Sequence, residues 1–342
     1  MRFGILYNVD YYPGVHGSSA GYYGGLLDQV NLAEDLGYHS AWFGEHHYGG
    51  YSFGSPAVIA TAAAMRTSRI RLGTGVSLAP LHNPVQLAEE YAMLDVLSGG
   101  RLEYGVGRGF LNLAYQIFGA SQEQSQERYR EAIELITTLW QASGPVDFDG
   151  TFTQLRDYTF SPAPVQRPLP PVYAAATNSP ESFAWAGAQG LHLSTAFFGR
   201  LDPAAVAANV GVYREALRTA GIADGEREVA VVIQMHCAED SAETAKGVQY
   251  AVNYYQFLAR LFEQGGQSAE HGFLAAAKNG DVDPQRVLIG QPDELIAALN
   301  WVDQQFRPDL LLMEVAQGGT PFAETARSLE LFAKHVAPAF AD

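Results

Sequence analysis

Short apolar runs alternate with amphipathic stretches along the chain, and that alternation predicts its elements. Arg2 to Tyr7 (RFGILY) is rich in strand formers and reads as a first buried strand. From Leu26 to Leu36, Leu27, Val30, Leu32 and Ala33 recur at helical spacing until Gly37 stops the helix. His39 to Phe43 predicts a second strand, Pro56 to Met65 an alanine-rich helix, and Ile70 to Val76 a third strand. Pro84 to Leu97 is helical, with Asn83 as cap and Pro84 as first helical residue. Arg101 to Val106 gives the fourth strand, and Glu123 to Trp140 a helix with Tyr129, Ile133, Ile136 and Trp140 on one face. The remaining strands are Val172 to Ala176, Leu191 to Thr195, Glu228 to Gln234 and Asp309 to Val315. Helices over Glu181 to Ala188, Ala204 to Ala220, Glu294 to Phe306 and Glu324 to His335 accompany them.

Eight strands alternating with helices define an α/β chain with the count of a (β/α)8 TIM barrel carrying insertions. The strands are near-continuous apolar runs, as a parallel sheet buried on both faces requires. A doubly wound sheet would expect a Gly-rich dinucleotide turn after the first strand, and Tyr7 to Tyr12 contains none. With no linker or internal repeat, residues 1–342 read as a single barrel domain. The segment from Ser241 to Gln285 is polar and Gly-containing in its middle, so an insertion is expected at about 241–288.

Composition narrows the partners. The 342 residues are 47% hydrophobic but only 17% charged, which fits an enclosed apolar pocket, a buried subunit face, or both. The formal charge of −16 and the lack of any Lys/Arg run argue against nucleic acid or an anionic membrane as partner. A single cysteine, Cys237, leaves no intramolecular disulfide and no multi-Cys zinc site. No apolar run reaches the about 20 residues of a membrane span, and Asn8 and Asp10 interrupt any signal-peptide core. A cytoplasmic protein is the expectation.

In a barrel the chemistry lies at the carboxyl ends of the strands. Glu45-His46-His47 follows the second strand. Adjacent side chains on extended backbone point to opposite sides, which argues against both histidines serving one site. No metal is expected, because the His/Cys spacing of a metal site is missing. One histidine facing the mouth would suit acid/base work; both could equally be structural. Thr74-Gly75-Val76 offers small residues that a flat ligand can approach, or plain corner packing. Gly105-Val106-Gly107-Arg108-Gly109 sets one arginine among glycines, an arrangement able to hold an anion. Thr177-Asn178-Ser179-Pro180-Glu181-Ser182 opens a helix whose N-terminus is either a phosphate site or an ordinary cap. His82 reads as turn chemistry, and His236 and Cys237 as candidates to line the mouth. Tyr11, Tyr12, Tyr22, Tyr23, Tyr48, Tyr51 and Phe53 crowd the first loops and could wall an apolar substrate pocket.

Together these segments resemble bacterial luciferase and its flavin-dependent monooxygenase relatives. Trp42-Phe43-Gly44-Glu45-His46-His47 is similar to that family's W-x-x-E-H-H segment, and Arg71 to Pro80, then His82-Asn83-Pro84, to its next signature. Ala88-Glu89 to Asp95, Ser98-Gly99-Gly100-Arg101 and Gly105 to Gly109 continue in register. Val172-Tyr173, Ser179 to Ser182 and Ile289 to Glu294 extend the resemblance over almost the whole chain.

The resemblance implies a two-component monooxygenase. It would take reduced FMN from a separate flavin reductase and use O2, through a flavin 4a-hydroperoxide, to oxygenate a small apolar organic substrate. By position His46 matches the family's catalytic histidine. Arg108, Asn178, Ser179 and Ser182 match the residues around the FMN phosphate. Gly75-Val76, beside Thr74, matches an unusual cis peptide under the flavin ring. Phe262 to Gln285 matches a mobile active-site lid in position only. Gly107 departs from the luciferase α chain, which carries a reactive cysteine there. The family commonly dimerises, so a homodimer is expected. Two alternatives remain: a deazaflavin-dependent hydride-transfer oxidoreductase on the same barrel, and a non-catalytic flavin-binding partner subunit.

Overall fold

The computed structural model describes residues 1–8, 11–47, 53–196, 202–266 and 287–341. Every predicted strand forms, and four short ones join them. In chain order they are β1 (Arg2–Tyr7), β2 (Ser40–Phe43), β3 (Arg71–Thr74), β4 (Ser77–Leu78), β5 (Leu102–Gly107) and β6 (Val146–Asp149). There follow β7 (Gln154–Tyr158), β8 (Val172–Ala175), β9 (His192–Ala196), β10 (Val229–Cys237), β11 (Leu288–Gly290) and β12 (Leu310–Glu314). Hydrogen bonding runs β1-β2-β3-β5-β8-β9-β10-β12 and returns from β12 to β1, so eight parallel strands close on themselves. Helices cover the outside, and the molecule is the expected (β/α)8 barrel.

Strand alternation sorts the residues into two cores. Outward residues such as Ile5, Phe43, Leu72 and Leu311 pack under the helices. Inward residues form a separate cluster of Leu6, Trp42, Tyr173, Ala196, Ala230, Val232, Leu310 and Leu312. Trp42 is fully buried on the axis, its indole donating to Ser40 Oγ at 2.9 Å and meeting Tyr173 edge-on at 5.1 Å. Gly73 makes room for it: a Cβ there would stand 2.2 Å from the indole ring. Below this plug lies a layer of charge. Glu103 accepts from Arg71 at 2.7 Å and pairs with His39, while Arg2 meets Glu228 at 2.7 Å. Beside them burial pushes the His192 imidazole down to about 4.

Differences from expectation have physical causes. The first long helix starts at Ser19, not Leu26, because Ser18 caps it by accepting from the Gly21 N–H. Ser241–Gln264 is one continuous helix capped by Asp240. A helix at Asn112–Phe118 and the β6–β7 hairpin lie between β5 and β8, and the hairpin strands VDFD and QLRDY are too polar to advertise themselves. Among the described residues, the first-loop aromatics Tyr11, Tyr12, Tyr22, Tyr23 and Phe53 are not in the wall of the cavity at the strand ends. Tyr22 packs edge-on against His16 at 5.1 Å and Phe53 against Phe43 at 6.0 Å, so these two are core, while Tyr11 and Tyr12 are half-buried and Tyr23 is exposed; Tyr48 and Tyr51 lie outside the described residues. Among the described residues no helix is long and apolar enough to cross a membrane.

Candidate active site

A cavity of about 340 Å³ opens at the carboxyl ends of the strands, within the size range of small-molecule sites. Its wall brings together His46, Gly75, Val76, Arg108, Asn178, Ser179 and Ser182, from the ends of β2, β3, β5 and β8. Thr74 alone among the expected residues stays out of it. Its hydroxyl turns to the Gly105 carbonyl at 2.6 Å, and its side chain is fully buried. The Gly75–Val76 peptide is cis, as the resemblance implied.

The two histidines part company. His46 faces the cavity, with Nε2 at 3.2 Å from Asn8 Oδ1, and its backbone N–H donates to Phe53 O at 2.7 Å. Burial pushes its imidazole down to about 4; the Glu45 carboxylate opposes the shift and His47 adds to it. It is therefore neutral at physiological pH, able to accept or pass a proton. His47 turns away, and its Nε2 lies 2.7 Å from Glu45 Oε1. The same oxygen holds His82 Nε2 at 2.5 Å, while Glu45 Oε2 accepts from the Leu78 N–H at 2.8 Å. Burial resists ionisation of Glu45, only 2% exposed, but the bonds from His47, His82 and Leu78 outweigh it and bring its carboxyl down to about 2. Glu45 in turn raises His82 against its burial. His82 is thus a partner in this cluster and not only turn chemistry.

Glu45, His47 and His82 have the chemistry of a metal site, their ligand atoms all within 4.8 Å of one another. The separations of 2.7 and 2.5 Å are those of shared protons, and the cluster ties the His46 segment to the loop after the cis peptide.

The opposite end of the cavity suits an anion. Arg108 makes no ion pair among the described residues, and its carbonyl accepts from the Tyr115 hydroxyl. Ser179 supplies no side-chain cap to the helix Pro180–Ala188; its carbonyl accepts from the Ser182 N–H at 2.9 Å, and both serines line the cavity. Gln126 and Tyr129 complete this end. They are contributed by a helix whose periodicity marked them only as surface and core. Between the two ends run Gly75, Val76, Gly107 and Ala175, a strip of small side chains along which a flat ring can lie. The wall thus fits a flat phosphorylated cofactor in its chemistry, with an arginine and hydroxyls at one end, small residues between and His46 at the other. Cys237 is not part of the wall: it is buried in the outer core, and burial pushes its thiol up to about 12. Residues 267–286, most of the expected lid, lie outside the described residues.

A closed parallel barrel with a histidine and an anion-suited end at its mouth defines a small-molecule site at the place where such barrels carry their chemistry. The chain matches the model of the luciferase-like monooxygenase family over residues 1–305, and it belongs to that family. It is similar to the oxygenase component of a flavin-dependent trigonelline monooxygenase of Acinetobacter baylyi, 27% identical over 340 residues, covering 94% of this chain and 90% of that protein. Its fold superimposes on the crystal structure of monooxygenase RslO1 from Streptomyces bottropensis with a TM-score of 0.87, 31% identity and 100% coverage of both chains. An F420-dependent glucose-6-phosphate dehydrogenase of Amycolatopsis mediterranei shares 35% identity over 171 residues, 48% of this chain and 51% of that enzyme.

Proposed function

We propose that this protein is the oxygenase component of a two-component system, using reduced FMN from a separate flavin reductase, and O2, to oxygenate a small organic substrate. The observation that carries the proposal is the placement of neutral His46 and the Arg108–Ser179–Ser182 end on one wall, on either side of the cis Gly75–Val76 peptide. The flavin-dependent relative aligned over nearly the full length supports FMN over F420.

Bound reduced FMN would supply the electrons and the position at which O2 reacts. The chain supplies the rest. Arg108, with the hydroxyls of Ser179 and Ser182, binds the phosphate by charge-assisted hydrogen bonds. Gly75, Val76 and Gly107 orient the ring. Leu6, Leu78, Ala196 and Val232 exclude water from its reactive side. His46 Nε2, oriented by Asn8, holds or moves the proton.

The decisive experiment mixes anaerobic protein and reduced FMN with aerated buffer and follows the return of oxidised-flavin absorbance. A return slower than that of free reduced FMN is expected; a return at the free-solution rate, together with tighter binding of F420 than of FMN, would transfer the protein to the hydride-transfer branch.

The proposal includes a homodimer in the cytoplasm. The helices Pro56–Ala64 and Pro84–Ser98 lie side by side and leave Val58 70% and Met65 68% exposed, with Met93, Val96 and Leu97 beside them. Such a face suits a second copy of the chain. A monomer mass independent of concentration in light scattering would remove it.

A further inference from the structure

The inner faces of β10 and β12 change character at the mouth. On β10 the inward residues run Ala230, Val232, Gln234; on β12 they run Leu310, Leu312, Glu314. The first two layers are apolar core, and the third is an amide beside a carboxylate, paired in register as Gln234 and Glu314. Glu314 is also in register with Leu6, and Leu6 and Val232 both line the cavity described above. One strand step of two residues, about 7 Å, therefore separates the cavity wall from this polar layer.

The layer is deeply buried: Gln234 is 3% exposed, Glu314 2% and Gln317, from the loop after β12, 6%. Burying such groups in place of Leu or Val is unfavourable unless something hydrogen-bonds to them. Some bonds are made. The Gln234 amide donates to Gln317 Oε1, and the Tyr254 hydroxyl donates to Glu314 Oε1 at 3.1 Å. Gln234 Oε1 and Gln317 Nε2 are left without a hydrogen-bond partner among the described residues. Turning both amides over leaves the same set, one acceptor and one donor. Both border, with Glu314, a space of about 20 Å³, enough for one small polar group.

We infer that Gln234, Gln317 and Glu314 form a recognition site for a hydroxyl, amino or carboxamide group carried by an otherwise apolar substrate. The neighbouring amides read a group that both donates and accepts. An acid would have to share this buried space with the Glu314 carboxyl, and two carboxyl groups so placed do not both stay ionised at little cost. The substrate body then lies along Leu6 and Val232, with its polar end anchored at β10 and β12 and its other end toward His46. That the bound molecule is the substrate rests on the monooxygenase function proposed above; the recognition chemistry does not.

The test uses the full chain with oxidised FMN bound and four phenyl probes of similar size: benzamide, benzyl alcohol, toluene and benzoate. Dissociation constants are measured by titration with saturation-transfer NMR. Benzamide and benzyl alcohol are expected to bind about tenfold tighter than toluene, and benzoate more weakly than either. The double variant Gln234→Leu/Gln317→Leu replaces both bonded partners by apolar groups of similar size, and should abolish the preference for benzamide over toluene while leaving FMN affinity unchanged. Should that variant fail to fold, Glu314→Gln provides the second arm: benzoate binding should tighten toward that of benzamide. Equal binding of benzamide and toluene to the native protein overturns the inference, as does a preference that survives in the double variant. Loss of the slowed flavin reoxidation with the benzamide preference intact would sink the monooxygenase proposal alone.

Discussion

The Cγ2 atom of Val76 lies 2.4 Å from the point where a Cβ on Gly107 would stand. The two residues share one volume beneath the cavity, so the glycine at 107 is the counterpart of the valine at 76. Gly107→Ala should therefore lower stability by about 1–3 kcal/mol through overpacking. Adding Val76→Ala should restore most of the loss, and thermal unfolding of the single and double variants reads both effects.

Arg108→Ala is expected to weaken FMN binding by about 1.5–3 kcal/mol, roughly ten- to a hundredfold. Riboflavin, which lacks the phosphate, should bind both forms alike. Equal FMN affinities in a fluorescence titration would place the phosphate elsewhere.

His46→Ala should leave FMN affinity within about twofold, since the phosphate contacts are untouched, yet abolish acceleration of oxygenation by His46, typically worth 10²–10⁴-fold. Thr74→Val makes the complementary case. Its hydroxyl serves Gly105 and not the cavity, so stability should fall by about 1 kcal/mol with flavin binding intact. A Thr74→Val protein that loses flavin but not stability would reverse that assignment.

Acid should destabilise the fold in two windows. His46 and His192 are both held down to about 4 from an ordinary 6.5. Between those values the unfolded chain binds protons that the folded one refuses, so stability present above pH 6.5 is lost as pH falls toward 4. Glu45, brought from 4.5 down to about 2, contributes stability present above pH 4.5 and lost as pH falls through 2. Urea unfolding from pH 4 to 8 should show the first slope flattened in a His46→Asn/His192→Asn variant. An unchanged slope would mean that neither imidazole is held neutral by the fold.

The barrel was legible because each of its strands is a short apolar run whose partner is the next such run, a local pattern with one solution. The wall of the site was legible where strand ends carry small or charged residues, as at Gly75, Gly107 and Arg108. What escaped depends on closure. Asn8 meets His46 across two strands, and Glu45 meets His82 37 positions away; neither pairing has a spacing to read. Gln126 and Tyr129 reach the cavity only because their helix leans over β5. Among the first-loop tyrosines, Tyr22 packs into the core and Tyr23 is exposed, because aromatic density does not say which side of a wall a ring lies on.

Trp42 and its neighbours fill the barrel axis between the mouth and the charged layer at the base. The barrel is consequently a cul-de-sac. On the function proposed above, flavin, oxygen, substrate and product would share the doorway at the mouth, and the order in which they come and go would be set by queueing there.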